Sequence, residues 1–165
     1  MEAQYSPIQI EEKWSKIWAD RELEKPGSED HFSQIIPPPN VTGTLHMGHS
    51  FQYAIMDFYT RYHHMNGTDS YWQVGTDHAG IATQMVVENN LLNEGKSKDD
   101  LGREKFLEEV WKWKDYSEGE ISAQMKRLGI TVEWDKYRFT YDDDFCKGVN
   151  KAFVCLLYTS PSPRD

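Results

Sequence analysis

Cysteine and long apolar runs are scarce in this chain, and each scarcity excludes a class of protein. The two cysteines, Cys146 and Cys155, stand nine positions apart in a segment with helical periodicity, which is not the spacing of a zinc site. No stretch approaches the roughly 20 consecutive apolar residues of a membrane-spanning helix. The first residues, MEAQYSPIQIEEKW, lack the positive and apolar regions of a signal peptide and are too acidic for a transit peptide. These absences favour a cytoplasmic protein with reduced thiols and no membrane partner.

Positive charge is also in short supply. The chain carries 18 Lys and Arg against 27 Asp and Glu, which gives a formal net charge of −9. This balance excludes a broad nucleic-acid-binding surface, so any contact with RNA must be local or lie on other parts of a longer polypeptide. Aromatic residues, in contrast, make up 13% of the sequence and include six Trp, and 165 residues are enough for one domain with an apolar core.

Alternating strand-like and helix-like segments predict an α/β fold with a parallel sheet and crossover helices. The predicted strands cover 31–36, which three prolines end, and 70–74. The predicted helices cover 7–24, the segment after Leu45 to about Asn66, 79–93, 98–117, 118–128 and 142–157. The apolar face of the second helix consists of Met47, Phe51, Ala54, Ile55, Phe58, Tyr62 and Met65. Residues 158–165 lack periodicity and are interpreted as a non-native tail that ends the last helix.

The first chemical motif spans residues 37–49, PPPNVTGTLHMGH, between the first strand and the second helix. His46 and His49 stand three residues apart in the first helical turn, so both rings can reach one ligand. The helix N-terminus offers free N–H groups to an anion, while Gly43 and Gly48 leave room for close backbone approach and for a nucleobase. A polyphosphate nucleotide fits this arrangement, and two structural histidines on a helix are the alternative. A zinc site is the weaker alternative, because no third ligand is nearby.

The second motif, residues 72–84 with the sequence WQVGTDHAGIATQ, follows the second strand. It is expected at the same carboxyl edge of the sheet as the first motif, where open parallel sheets bind ligands. Asp77 in this loop can bind a ligand ammonium through a charge-assisted hydrogen bond. Because a helix is predicted to follow, Asp77 is also suited to cap its N-terminus, and spacing alone slightly favours the cap.

The two motifs together resemble a known family. His46-Met47-Gly48-His49 is similar to the HIGH signature of class I aminoacyl-tRNA synthetases. The strings PPPNVTGTLHMGH and WQVGTDHAGIATQMVVE resemble the valine-specific members, and the likeness runs from about Tyr5 to Leu156. The resemblance implies the N-terminal part of a Rossmann-type parallel sheet with crossover helices, preceded by an N-terminal helix and followed by helices. Residues 1–30 would form the helical extension, and residues 31–157 the incomplete first half of the catalytic domain.

The resemblance also implies substrates and residue roles. A complete enzyme of this kind, expected to be a monomer, activates valine with ATP and Mg²⁺ and esterifies it to tRNA(Val). His46 and His49 would be catalytic by binding the ATP phosphates, and Gly48 would pack against adenine. Asp77 and the Pro37 carbonyl would hold the valine ammonium, with Asn40 lining that site, and no resident metal is expected. The residues expected to line the ATP site are Pro39, Asn40, Val41, Thr42, Gly43, Thr44, Leu45, His46, Met47, Gly48 and His49.

Three alternatives belong to other classes: a sister synthetase for isoleucine or leucine, another HxGH nucleotidyltransferase, and a non-enzymatic binding module. The family's editing domain, KMSKS loop, anticodon-binding domain and second half of the sheet are not found in this sequence. The chain alone is therefore expected to be inactive. Half a parallel sheet is also expected to leave helix faces unburied.

Overall fold

The computed structural model describes residues 6–19 and 27–159, in which helices and strands alternate as predicted. The helices are α1 (Pro7–Ala19), α2 (Met47–Met65), α3 (Ile81–Asn93), α4 (Lys98–Leu128) and α5 (Asp143–Thr159). The strands are β1 (His31–Ile35), β2 (Asp69–Gln73), β3 (Gly75–Thr76) and β4 (Arg138–Phe139), the last preceded by a 3₁₀ turn at Trp134–Lys136. Residues 20–24 of the first predicted helix and residues 160–165 of the predicted tail lie outside the described residues. Residues 158 and 159, predicted to begin the tail, instead continue α5 as its last two residues.

The strands pair in parallel, which confirms the α/β class with a small sheet. β1 pairs with β2 in the register His31↔Asp69, and β3 pairs with β4 in the register Gly75↔Arg138. α2 makes the crossover from β1 to β2, as a parallel connection requires. Residues 69–73 therefore pair with β1, whereas residues 75 and 76 pair with β4. β4 was not predicted, because two paired residues show no periodicity.

The pairing of β3 with β4 depends on a glycine. A Cβ at Gly75 would lie 2.2 Å from the carbonyl oxygen of Arg138, which is a backbone atom that cannot move aside alone. The Arg138 N–H donates to the Val74 carbonyl at 3.2 Å, and the Thr140 N–H donates to the Thr76 carbonyl at 3.1 Å. This close approach brings the chain just after β4 beside the second motif.

The apolar core draws on the end of β1, on α2, β2 and α4, and on the segment that follows α4. Trp72 and Tyr53 are its largest fully buried side chains, with ring centroids 6.4 Å apart in an edge arrangement. Burial raises the pKa of Tyr53 to about 12. The buried cluster comprises Ile36, Tyr53, Trp72, Val74, Ile121, Met125, Ile130 and Val132.

A hydrogen-bonded network ties α4 to β3 next to this core. The Tyr137 hydroxyl donates to Thr76 Oγ1 at 2.8 Å, and Thr76 Oγ1 donates to Glu118 Oε1 at 3.1 Å. Glu118 forms an ion pair with Lys114 at 2.6 Å. Burial lowers the pKa of Lys114, but the hydrogen bond and charge of Glu118 outweigh it, so the net pKa is raised. Thr76 is fully buried, so the network fixes α4 relative to the strand that leads into Asp77.

The predicted helices 98–117 and 118–128 are one helix, so the predicted break was wrong. α4 passes through Ser117 and Glu118 without interruption, and its non-helical residue is Gly102, with φ 75° and ψ 166°. Ser117 does not end the helix because its hydroxyl bonds to a carbonyl on another segment, that of Gly43, at 3.0 Å.

The apolar face predicted for α2 is exposed rather than buried. All seven of its residues, including Met47 at 82% and Phe51 at 71%, face away from the described parts of the chain. Tyr53 and Thr60 are the buried residues of α2, and the side-chain amide of Gln34 bonds to Thr60 Oγ1 from β1. The sheet therefore packs on the less apolar side of α2, and the small sheet leaves the other side uncovered, as expected for half a parallel sheet. α5 also has no buried residue, and its cysteines are free thiols.

Helix α1 docks on the rest of the protein through Trp18. The Arg61 guanidinium lies 5.2 Å from the centre of the Trp18 ring, and Arg61 Nη2 donates to the Gly129 carbonyl at 2.6 Å. Gly129 ends α4 with a φ of 72°, and a Cβ there would lie 2.7 Å from the Trp18 ring. Glycine is therefore required at this position by both conformation and space.

Candidate active site

The two chemical motifs meet at the carboxyl edge of the paired strands, as predicted. After the three prolines the chain resumes parallel pairing, and Asn40 forms a bridge with Asp77. The Asp77 N–H donates to the Pro39 carbonyl at 2.8 Å, and the Val41 N–H donates to the Asp77 carbonyl at 3.0 Å. The main chain thus joins the first motif to the loop that carries Asp77.

Three side chains of α4 hold the segment that leads to the histidines. Trp113 Nε1 donates to the Val41 carbonyl at 2.9 Å, and Ser117 Oγ donates to the Gly43 carbonyl at 3.0 Å. The Leu45 N–H donates to Gln124 Oε1 at 2.8 Å. Sequence reasoning missed these residues. The available signal was their spacing, since 113, 117 and 124 share one face of a helix whose other faces are mostly charged.

His46 and His49 cap the N-terminus of α2 reciprocally. His46 Nδ1 accepts the backbone N–H groups of Gly48, at 3.0 Å, and of His49, at 3.4 Å. His49 Nδ1 accepts the backbone N–H of His46 at 3.2 Å, and the two rings stack with centroids 3.8 Å apart. Because each Nδ1 is an acceptor, the neutral rings carry their protons on Nε2. The arrangement leaves two neighbouring Nε2–H donors for a ligand.

Two expectations about this helix start need correction. The Gly48 and His49 N–H groups are not free for an anion, because the His46 ring already binds them. The space beside Gly48 is also taken, since a Cβ there would lie 2.8 Å from His46 Cε1. Glycine is therefore needed to admit the His46 ring. A Cβ at Gly43 would meet no atom within 4 Å, so no close approach explains that glycine.

The surroundings of His49 disfavour its charged form. Partial burial is the larger cause and the neighbouring His46 the second, and together they lower the pKa of His49 below 6.5. The ring also lies 5.9 Å from the buried Tyr53 ring, centroid to centroid. A neutral, hydrogen-bond-donating imidazole is the form that this environment favours near neutral pH.

Asp77 is presented with one carboxylate oxygen bound and one open. Its Oδ1 accepts the Thr140 hydroxyl at 2.6 Å, whereas no donor from the described residues reaches Oδ2. The side chain is 33% exposed. The capping alternative is wrong, because α3 begins at Ile81 with Gly80 as its cap residue. The physical reason is that Ala79 and Gly80 adopt positive φ values of 50° and 42°, which separate Asp77 from the helix start.

The loop around Asp77 is held by two threonines that sequence reasoning did not assign to the site. Thr140 Oγ1 lies 2.9 Å from the backbone nitrogen of His78 and 2.7 Å from His78 Nδ1. Thr83 Oγ1 donates to the His78 carbonyl at 2.7 Å from inside α3. Thr140 is 63 positions from Asp77, so no local pattern could have joined them.

The remaining predicted site residues are placed as follows. Pro39 and Val41 are buried supports, Asn40 and Thr44 are exposed, and Thr42 is half-buried. Pro37 is exposed and makes no hydrogen bond within the described residues, so the structure does not join it to Asp77. The zinc alternative lacks support, since residues 6–19 and 27–159 contain no group of three metal-ligating side chains. Among the described helices, none has the length and apolarity needed to cross a membrane.

Comparisons with known proteins show which sequences and folds this chain is similar to. The chain is 54% identical over 153 residues to a valine–tRNA ligase of Acinetobacter baylyi, which covers 92% of this chain and 16% of the relative. It superposes with a TM-score of 0.68 on the LeuRS of Agrobacterium radiobacter K84, solved in a ternary complex with tRNA and LeuAMS. That match has 20% sequence identity and covers 94% of this chain and 18% of the LeuRS chain. At this identity the match shows a shared fold and nothing about function.

The chain thus spans less than a fifth of the length of either protein. The family model for class I tRNA synthetases (I, L, M and V) matches residues 9–160, which is most of the sequence. The chain therefore belongs to the class I tRNA synthetases of the isoleucine, leucine, methionine and valine group.

Proposed function

We propose that this chain is the N-terminal part of a valine–tRNA ligase, which activates valine with ATP and Mg²⁺ and transfers it to tRNA(Val). The observation that carries the proposal is the main-chain bridge between Asn40 and Asp77, which joins an imidazole pair and an open carboxylate at one sheet edge. The 54% identity to a valine–tRNA ligase favours valine over isoleucine or leucine. Residues 31–157 are the first half of a Rossmann-type catalytic domain, and residues 1–30 are an N-terminal extension.

The ATP phosphates bind at the imidazole pair. The Nε2–H groups of His46 and His49 donate to phosphate oxygens and stabilise the charge that develops during adenylation. Residues 39–49 line the nucleotide, and their backbone is held in place by α4. Neither histidine forms a covalent bond, since a valine carboxylate oxygen attacks the α-phosphorus directly and displaces pyrophosphate, which gives valyl-adenylate. Mg²⁺ would be carried by the ATP phosphates, since this ion is commonly bound in proteins through the phosphates of a substrate.

The valine ammonium binds at Asp77. Its open Oδ2 accepts a charge-assisted hydrogen bond. We extend the amino-acid site to the Pro37 carbonyl and to Asn40, of which the structure joins only Asn40 to Asp77. In this proposal the complete enzyme is a cytoplasmic monomer.

The test uses a complete valine–tRNA ligase that contains this segment and measures ATP–pyrophosphate exchange. Asp77→Asn removes the charge partner of the ammonium, worth about 1.5–3 kcal/mol, so the KM for valine should rise roughly 10- to 150-fold. The KM for ATP should stay unchanged. Asp115→Asn, the same substitution at a 74% exposed position on α4, is the matched control.

Two outcomes would contradict the proposal. Faster exchange with isoleucine or leucine than with valine would assign the segment to a sister enzyme. Equal losses for valine and ATP in Asp77→Asn would show that Asp77 supports the fold and does not bind the ammonium.

A further inference from the structure

Thr140 occupies a position that the main chain, not a motif, brings to the amino-acid site. Its N–H donates to the Thr76 carbonyl at 3.1 Å, which continues the β3–β4 pairing by one residue. β3 and β4 can lie this close together only because residue 75 is glycine, since a Cβ there would collide with the Arg138 carbonyl. The Thr140 side chain is thereby set beside Asp77 and His78.

The hydroxyl of Thr140 uses its full hydrogen-bonding capacity there. A hydroxyl has one donor and two acceptor sites, and a carboxylate can only accept. The Thr140 O–H therefore donates to Asp77 Oδ1, at 2.6 Å. The other two contacts must donate to Thr140: the His78 backbone N–H at 2.9 Å and His78 Nδ1 at 2.7 Å. His78 Nδ1 therefore carries a proton, and the same nitrogen lies 3.4 Å from Asp77 Oδ1.

We propose that Thr140 is a positioning residue for the amino-acid substrate, acting through Asp77. The inference rests on the proposed function, in which Asp77 binds the valine ammonium. By holding Oδ1, Thr140 fixes the carboxylate rotamer and leaves Oδ2 as the open acceptor. By accepting from His78 twice, it also holds the loop whose next residue, Ala79, has a φ of 50°. The carboxylate is set before the substrate arrives, so less side-chain freedom is lost on binding.

The experiment measures KM values for valine and ATP by pyrophosphate exchange in the complete enzyme. Thr140→Ala should raise the KM for valine by at least about tenfold, because it removes a hydrogen bond to a charged group and leaves two donors unpaired. The KM for ATP should not change. Thr140→Ser lacks the same methyl group but keeps the hydroxyl, and it should restore the wild-type KM for valine. The Ser and Ala variants together separate the hydroxyl from packing.

Thr83→Val is the matched control. It also removes a threonine hydroxyl that bonds to His78, but Thr83 reaches the carbonyl of His78 and not Asp77. It should lower thermal stability without a valine-specific change in KM. A valine-specific effect of Thr83→Val as large as that of Thr140→Ala would overturn the proposal, since general loosening of the loop would then explain both.

A double variant separates positioning from architecture. If Thr140 acts through Asp77, Thr140→Ala should add little to the valine KM of Asp77→Asn, whereas independent roles would give multiplicative losses. Multiplicative losses, or equal losses for valine and ATP, would overturn the proposal. If Asp77→Asn weakens valine binding and Thr140→Ala does not, the Thr140 inference alone is wrong. If Asp77→Asn itself leaves the KM for valine unchanged, the proposed amino-acid site is wrong and the inference falls with it.

Discussion

The hydrogen bond from the Leu45 N–H to Gln124 Oε1 is the last support before the imidazole pair. Gln124→Met removes the oxygen and keeps an unbranched side chain of similar length. The half-buried Leu45 N–H is then left without its acceptor, at a cost of about 1–2 kcal/mol. If the lost hydrogen bond destabilises the ordered conformation of residues 39–49, the segment proposed to line ATP, the KM for ATP should rise roughly 5- to 30-fold. The KM for valine should change less, because Asp77 is held from Pro39 and Thr140 instead.

Pyrophosphate exchange at varied ATP concentration measures this effect in the complete enzyme. Gln84→Met is the matched control, since Gln84 lies exposed on α3 and its side chain makes no hydrogen bond within the described residues. A lowered melting temperature with an unchanged KM for ATP would refute the reasoning, because Gln124 would then stabilise α4 without ordering the nucleotide segment. Equal effects of Gln124→Met and Gln84→Met would refute it as well.

Three further predictions concern stability. Gly75→Ala should destabilise the fold by about 2–4 kcal/mol, because its Cβ would lie 2.2 Å from a backbone oxygen. Gly119→Ala should stabilise the fold by about 1 kcal/mol, because its Cβ would enter open space on a helix. The melting temperature should therefore fall in the first variant and rise in the second. Because the pKa of His49 is lowered in the folded protein, the unfolded chain binds a proton at this residue more tightly. The free energy of unfolding is therefore unaffected by His49 above pH 6.5 and decreases as the pH falls below that value. His49→Gln keeps an acceptor for the His46 N–H but removes the titrating group. The melting temperature of this variant should therefore fall less than that of wild type between pH 7.5 and 5.5. Parallel falls would show that His49 is not the group responsible.

Sequence reasoning reached the parts of the fold that are encoded locally. β1 (His31–Ile35) ends just before the prolines, which lack N–H donors, and α2 begins where the histidines can cap it. The meeting of the two motifs at one sheet edge followed from strand order alone, since parallel neighbours end on the same side. These features depend on residues close together in sequence, so a single chain is sufficient to predict them.

Features that depend on distant residues were not reached. β4 contains only two residues, and it can pair with β3 because Gly75 has no Cβ to collide with the Arg138 carbonyl. The buried side of α2 could not be read from periodicity either, because the apolar stripe from Met47 to Met65 faces away from the sheet. Periodicity shows which side of a helix is apolar. It does not show on which side of the helix the other helices and strands of this chain will pack.

The side chains of the proposed site share one physical arrangement. His46 and His49 each commit Nδ1 to a backbone N–H, and Asp77 commits Oδ1 to Thr140. In each case the second polar atom, Nε2 or Oδ2, is left for the ligand. A side chain anchored by one polar atom loses little rotamer freedom when the other binds. Under the proposed function, the fold sets the polar groups that face the adenylation transition state before the substrates bind, as electrostatic catalysis without a covalent intermediate requires.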